Sequence, residues 1–264
     1  EVAVAADQPV VLASVFKIAV AVAFWREVGA GRIDPLERTT VPSRHRIGGV
    51  GTAGCADDVT MSWRDLVHLM LTLSDNAATD VVHRRIGQGA VEAVLADLGL
   101  DRTRIIGCCE DLFATIADEL GFELAGCDLD EELGKVGVDR IWSLAVLDPA
   151  RTSSSTPREI TGLLEAVWQD RAGDAEGCRQ VRASMAQQLW PHRLSSGFGG
   201  EVAVAAKTGT LPAIRNEAGV VTLPDGRSFA VSVFTRATSL AERLPAVDAA
   251  IGEAARLAVD HLSG

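Results

Sequence analysis

"LASVFKIAV", residues 12–20, places one serine and one amine three residues apart in an otherwise apolar run. The run continues to Trp25 and stops at Gly29-Ala30-Gly31. Because it is apolar on nearly every side, the stretch from Ser14 to Val28 is expected to form a central, buried helix. Ser14 then stands at its N-terminus, with Lys17 one turn on and on the same face. The chain carries 25 basic residues, of which only Lys17, Lys135 and Lys207 are lysine. Arginine stays charged at any working pH, whereas a buried lysine can lose its proton and act as a base. A lysine kept beside a serine, in a chain that otherwise prefers arginine, points to an amine that titrates.

The 264 residues are 47% hydrophobic, enough for a large core in one domain or two tightly joined subdomains. A formal net charge of −11 disfavours nucleic acid and anionic membranes as partners. The longest apolar run, Ile18 to Trp25, is too short to span a bilayer. No basic, apolar, small-residue leader precedes it, which leaves open a leader already removed. Five cysteines (Cys55, Cys108, Cys109, Cys127 and Cys178) at irregular spacing do not make a disulfide framework. They read as buried or free thiols. The histidines form no H-E-x-x-H pair, so no metal and no cofactor is expected.

"EVAVAA" occurs at 1–6 and at 201–206, and both copies read as strands, one running toward Ser14 and the other into Lys207. "TMSWRDLVHLMLTL" (60–73) reads as a helix with Ser62 as N-cap, broken by Ser74-Asp75-Asn76. Two further helices follow in "AATDVVHRRIG" and "AVEAVLADLG". Residues 110–147 are acidic and helical in pattern. Leu112, Ile116 and Leu120 share one face there, as do Leu129, Leu133 and Val136. Lys135, in the same segment, reads as surface charge. A loop at 148–157 leads into the helix "REITGLLEAVWQD". Then "AGVVTL", the turn "PDG" and "RSFAVSVFTR" make a hairpin, and a last helix covers about Ala246 to Leu262. Strands at the ends and helices in the middle predict an α/β (α+β) fold: an antiparallel sheet flanked by helices, with an inserted all-helical subdomain. The expected subdivision of a single domain is 1–35 with 158–264 for the sheet-plus-helix part and 36–157 for the helical part.

Three short stretches carry the chemistry: Ser14-Val15-Phe16-Lys17, Ser74-Asp75-Asn76 and Lys207-Thr208-Gly209. In that order, with Ser74 following Ser14 by 60 residues and "SSSTP" at 153–157, the chain resembles class A β-lactamases over nearly its whole length. The resemblance implies a serine hydrolase that forms an acyl-enzyme with β-lactams and hydrolyses the β-lactam amide without a cofactor; weakened deacylation and a monomer are expected. A D-alanyl peptidase, an esterase or transacylase, and a non-turnover penicillin-binding or sensor module use the same machinery and stay open. Ser14 is then the nucleophile and Lys17 its base, while Ser74 relays a proton to the leaving nitrogen and Asn76 holds Lys17 and the substrate amide. Lys207, Thr208, Gly209 and Thr210 line the substrate, with Lys207 and Thr208 on its carboxylate. The N–H groups of Ser14 and Thr210 form an oxyanion hole. The absence of tyrosine excludes the related hydrolases with a tyrosine base in the middle motif. The family resemblance implies a secreted or periplasmic protein, while the odd cysteine count and the missing leader point to the cytoplasm.

Three departures from the family pattern stand out. Only 13 residues precede Ser14, where the family has a further helix and strand; a truncated chain would leave a sheet edge open to a partner. The family's E-x-x-L-N is replaced within "TRIIGCCEDLFA". An ungapped count from Ser74 puts Glu110 on the deacylating glutamate, an alignment on "LGLDRTR" puts Cys109 there, and the asparagine becomes Phe113 or Ala114. Finally, the loop is enlarged by residues 115–147, expected to form two or three short helices beside the site mouth, as a lid or as surface elaboration.

Overall fold

The computed structural model describes residues 1–43, 49–124 and 129–264, so Cys127 lies outside the described residues. The elements run β1 (Val10–Val11), a 3₁₀ turn (Ala13–Phe16), α1 (Lys17–Gly29), β2 (Arg38–Val41), a 3₁₀ turn (Gly51–Gly54), β3 (Val59–Ser62), α2 (Trp63–Thr72), α3 (Asn76–Ile86) and α4 (Gln88–Asp97). After them come α5 (Cys109–Leu120), α6 (Leu129–Gly134), α7 (Val138–Trp142), β4 (Ser154–Ser155), α8 (Pro157–Trp168) and α9 (Ala175–Met185). The chain closes with β5 (Ala203–Leu211), β6 (Ile214–Thr222), β7 (Ser228–Arg236) and α10 (Pro245–Ser263).

The expected antiparallel sheet with flanking helices is present, as β5-β6-β7. On one face Ala206, Val221 and Val231 pack against Ile251, Ala255 and Val259 of α10. On the other, Ala218 and Val220 join the main core with α1, α8 and α9. α1 is the axis of that core: every residue from Lys17 to Trp25 is buried, as its all-round apolar sequence requires. Two small ribbons, β1–β4 and β2–β3, complete the pairing.

Several expectations are corrected in detail. The first "EVAVAA" is not a strand; pairing is confined to Val10 and Val11 against Ser155 and Ser154. Alternating Val and Ala is a weak strand signal where no second strand lies alongside. The predicted helix from Ser14 begins as a 3₁₀ turn and becomes α-helical at Lys17. Ser62 does cap α2, its Oγ accepting from Asp65 N at 3.2 Å, but 59–62 is strand rather than helix. The enlarged loop forms α5, α6 and α7 around a core of its own, in which Ile116, Ile141 and Leu144 pack on Val11, Leu211 and Ile214, with Leu112, Leu120, Leu129, Leu133 and Val136 against them. Lys135 is exposed and paired with Glu131 and Glu132.

Candidate active site

A cavity of about 520 Å³ opens between the N-terminal end of α1, the α2–α3 junction, α5 and β5. Ser14 lies on its wall, in a turn set by unusual backbone. Ala13 has φ 45°, a left-handed conformation that reverses the chain between β1 and the 3₁₀ turn. Such a residue costs about 1–2 kcal/mol and needs support. Leu12 N donates to Ser153 O at 3.0 Å, and Asn216 Nδ2 donates to Val11 O at 2.8 Å. β5 then passes so close that a Cβ on Gly209 would lie 2.6 Å from Leu12 O, which is why the third residue of Lys-Thr-Gly is glycine.

Lys17 is wholly buried. Its Nζ donates to Ser74 O at 2.8 Å, to Ser74 Oγ at 3.2 Å and to Asn76 Oδ1 at 2.8 Å. The α2–α3 junction makes this convergence: Ser74, at φ 64°, is left-handed and turns both its carbonyl and its hydroxyl toward the amine. Asp75, fully buried, caps α3 through Ala78 N at 3.0 Å and accepts from Thr52 N at 2.5 Å and Thr52 Oγ1 at 2.8 Å. It locks the junction to the Gly51–Gly54 turn.

On the β5 side, Thr208 N donates outward, away from β6, to Gln188 Oε1 at 2.9 Å. Since N–H direction alternates along an antiparallel strand, Thr210 N–H points the same way. Lys207, expected on the substrate carboxylate, is buried, absent from the cavity lining, and donates to Thr208 O at 2.9 Å. Burial, with Lys17 as a further cause, holds its pKa well below the usual lysine range. Among the described residues, the arginine on the wall is Arg193. Asp248 Oδ1, Gly209 O, Asn216 O and Thr210 Oγ1 each accept one of its N–H bonds, the Asp248 contact at 2.7 Å. His192 lies beside it on the lining, its pKa lowered first by burial.

The α5 wall places Cys109 and Glu110 differently. Asp80, on α3, accepts from Cys109 N at 2.7 Å and Glu110 N at 3.2 Å and so anchors the start of α5. Burial raises its pKa to about 6. This places Cys109 on the cavity wall, buried, its thiol pushed up to about 12 by burial against the opposing influence of Lys17. The carboxylate of Glu110, expected as a catalytic base, pairs with Arg84 and is absent from the lining. Successive residues at a helix start point about 100° apart, so only one of the two can face the cavity. Phe113, one turn on from Cys109, is on the lining.

Of the sequence-selected residues, the structure brings Ser14, Ser74, Asn76, Thr208 and Thr210 onto one cavity with Lys17 behind them. Sequence reasoning missed Arg193 and Trp190, which stand in a segment without a motif, and Asp80, one helical turn past Asn76 and therefore on a readable face. Asp80, Cys108 and Glu110 have ligand atoms close enough to hold a cation, but Arg84 occupies Glu110 and two N–H groups occupy Asp80.

Residues 1–262 match the family described as the beta-lactamase enzyme family. The chain belongs to that family. Within it, the chain is 29% identical to a "Beta-lactamase regulatory protein BlaB" of Streptomyces cacaoi, covering 99% of this chain and 88% of the other. A β-lactamase structure from Sphaerobacter thermophilus is similar with a TM-score of 0.77 at 25% identity, covering 98% of this chain and 86% of that one. A mutant of PBP-A in an acyl-enzyme complex with penicillin G has the same fold, with a TM-score of 0.76 at 19% identity, covering 98% of this chain and 85% of that one. No helix among the described residues is long and apolar enough to cross a membrane.

Proposed function

We propose that the protein is acylated at Ser14 by β-lactams and retains the acyl group, hydrolysing it slowly. Ser14 Oγ attacks the lactam carbonyl carbon, and Lys17 serves as the base that takes the hydroxyl proton. The oxyanion is met by the N–H groups of Ser14 and Thr210, one at a helix start and the other on an outward-facing strand position. As the C–N bond breaks, Ser74 Oγ–H protonates the nitrogen and Lys17 returns a proton to Ser74 along their 3.2 Å contact. Thr208 and Arg193 hold the substrate carboxylate, and Lys207 acts from behind the strand.

The observation that carries the reading is the closure of Lys17 on Ser74 and Asn76 beside Ser14. The retention of the acyl group is supported by the opposite wall, where α5 presents to the cavity the buried thiol of Cys109, its pKa pushed up to about 12, and no carboxylate. A long-lived acyl-enzyme suits a β-lactam-responsive regulatory module better than a resistance enzyme, and the similarity to a regulatory protein agrees with that. Intact-protein mass spectrometry over time after mixing with benzylpenicillin tests it. A mass increase equal to the whole penicillin, lost in Ser14→Ala and persisting for many minutes, is expected. A rapidly vanishing adduct would make the protein an ordinary β-lactamase, and no adduct would direct attention to peptides or esters.

A further inference from the structure

The segment 188–194, QLWPHRL, lies between α9 and β5 and carries hydrogen bonds to both of them and to the helical wall of the cavity. Toward the helical wall, Leu189 N donates to Thr72 O at 3.1 Å and Trp190 Nε1 donates to Leu73 O at 3.4 Å. Leu73 is the residue before Ser74. Toward the sheet, Gln188 Oε1 accepts from Thr208 N at 2.9 Å, and Gln188 Nε2 donates to Glu217 Oε1 at 2.5 Å. A backbone N–H can only donate, so the Thr208 contact fixes which end of the amide is the oxygen and leaves Nε2 for the carboxylate. Glu217 stands opposite Thr208 in the β5–β6 register and is fully buried. Its second oxygen accepts from Leu194 N, and the positive charges of Lys207 and Arg193 act on it. Leu189, by contrast, is 63% exposed, so polar contacts and not side-chain burial hold this part of the segment.

We infer that Gln188, held by Glu217, is a positioning residue for acyl transfer: it fixes the main chain of Thr208 relative to Ser74 and so aims the Thr208 hydroxyl and the Thr210 N–H at a donor on Ser14. The inference rests on the reading of Ser14 as the acylated residue. Lys17 and Ser74 belong to the helical wall, and Thr208 and Thr210 belong to β5. Both sets must address one reacting carbonyl, and a misplacement of about 1 Å between them costs about 10²-fold in rate. β5 is the end strand of its sheet, so no further strand holds the outward N–H of Thr208. Gln188 supplies the acceptor instead, and the two residues after it are bonded to the residues before Ser74, so one short segment ties the two walls together. Glu217 stiffens the tie, because an amide bonded at both ends keeps one rotamer where an amide bonded at one end would swing.

The test reads the second-order rate of Ser14 acylation by benzylpenicillin and by nitrophenyl acetate in three variants of the whole protein. Gln188→Leu keeps the side chain's size and removes both bonds, and acylation about 10²-fold slower is expected from both donors. Gln188→Glu keeps the acceptor for Thr208 N but sets a second carboxylate against Glu217, and the two stay in contact only by sharing a proton. Its rate relative to the wild-type protein at the same pH should therefore fall by about tenfold or more between about pH 5.5 and 8. Exchanging the pair, Gln188→Glu/Glu217→Gln, restores a donor opposite the carboxylate and an acceptor for Leu194 N. The exchange should return most of the lost rate and remove the added pH dependence, whereas a glutamine that served only stability would show neither. A wild-type rate in folded Gln188→Leu, or an exchanged pair no faster than Gln188→Leu, overturns the positioning role. Should Gln188→Leu fail to fold, the Gln188→Glu profile decides, and a rate ratio constant with pH overturns the role. Acylation by the ester alone, with the expected order of variants, overturns the β-lactam reading and leaves the positioning role standing. Failure of both donors with the wild-type protein overturns both.

Discussion

Across the Ser14 cavity two walls face each other, built on opposite principles. On the α1 and α2–α3 side, Lys17 is tied to Ser74 and Asn76, and Asp75 to Ala78 and Thr52, by contacts that leave each side chain a single place. On the α5 side the cavity meets Cys109, Leu112 and Phe113, a thiol and two hydrocarbons. The first wall can move protons between serine, lysine and a leaving nitrogen. Among the described residues, the α5 lining offers no carboxylate or imidazole to take a proton from water, and burial pushes the Cys109 thiol up to about 12. In the proposed reading, forming the acyl-enzyme and releasing it therefore depend on different walls, and the groups present serve the first step.

The contrast is broken most severely by removing the proton-moving wall. Ser14→Ala is expected to abolish acylation. Lys17→Arg should slow it by about 10²- to 10⁴-fold, because arginine keeps its proton and positioned acid–base groups are worth that much. Burst amplitude with a chromogenic cephalosporin measures both. A Lys17→Arg variant acylating at the wild-type rate would exclude Lys17 as the base.

Equipping the second wall should sharpen the contrast in the other direction. Cys109→Glu puts a carboxylate on the lining, where Lys17 can stabilise its charge. Deacylation is expected to accelerate by about 10- to 100-fold, less than a fully positioned base supplies, because the neighbouring Phe113 on the lining offers a water no second hydrogen-bonding group. Single-turnover decay of the penicillin adduct reports this directly. An adduct as persistent as that of the wild-type protein would place the block somewhere other than Cys109.

The two walls also differ in how far they could be read from sequence. Ser14, Lys17, Ser74 and Asn76 lie in motifs whose internal spacing sets their geometry: a three-residue step along a helix, and a helix break whose second residue caps the next helix. Such local rules survive any tertiary arrangement. The helices of the insertion showed in the spacing of Leu112, Ile116 and Leu120. Which of Cys109 and Glu110 faces the cavity did not, because a one-residue shift rotates a helix start by about 100° and the anchor that sets it, Asp80, lies 29 residues away. Arg193 was hidden for a related reason: four acceptors from β5, β6 and α10 hold it, and no local pattern announces them. Lys207 was found, but its burial behind Thr208 was not visible in a motif.

A smaller effect probes the anchor between the walls. Burial raises the Asp80 pKa to about 6, above its unfolded value, so the folded state binds a proton more readily between about pH 4 and 6. The Asp80 contribution to stability is therefore most favourable below about pH 4 and diminishes as pH rises through 6. Relative to Asp80→Asn, which does not titrate, the wild-type protein should lose on the order of 2–3 kcal/mol between pH 4 and pH 7. Urea denaturation of both proteins across that range measures the difference, and a pH-independent difference would show that Asp80 keeps an ordinary carboxylate pKa.

The smallest expected effect falls on Glu110. Its ion pair with Arg84 joins two side chains that are 36% and 44% exposed, and pairs this wet contribute about 0–1 kcal/mol. Glu110→Gln should lower stability by no more than that, since the amide can still accept from Arg84. The acyl-enzyme should decay at the wild-type rate, because a carboxylate turned to Arg84 outside the cavity cannot take a proton from water at Ser14. Decay slowed tenfold or more would mean that Glu110 leaves Arg84 and enters the cavity once Ser14 is acylated. The α5 wall would then hold a base after all, and Cys109→Glu would add a second carboxylate to a site that already had one, giving little gain. Run side by side, the two variants therefore have opposite expected signatures: an acceleration at position 109 with no change at 110 places the missing base at Cys109, and the reverse places a working one at Glu110.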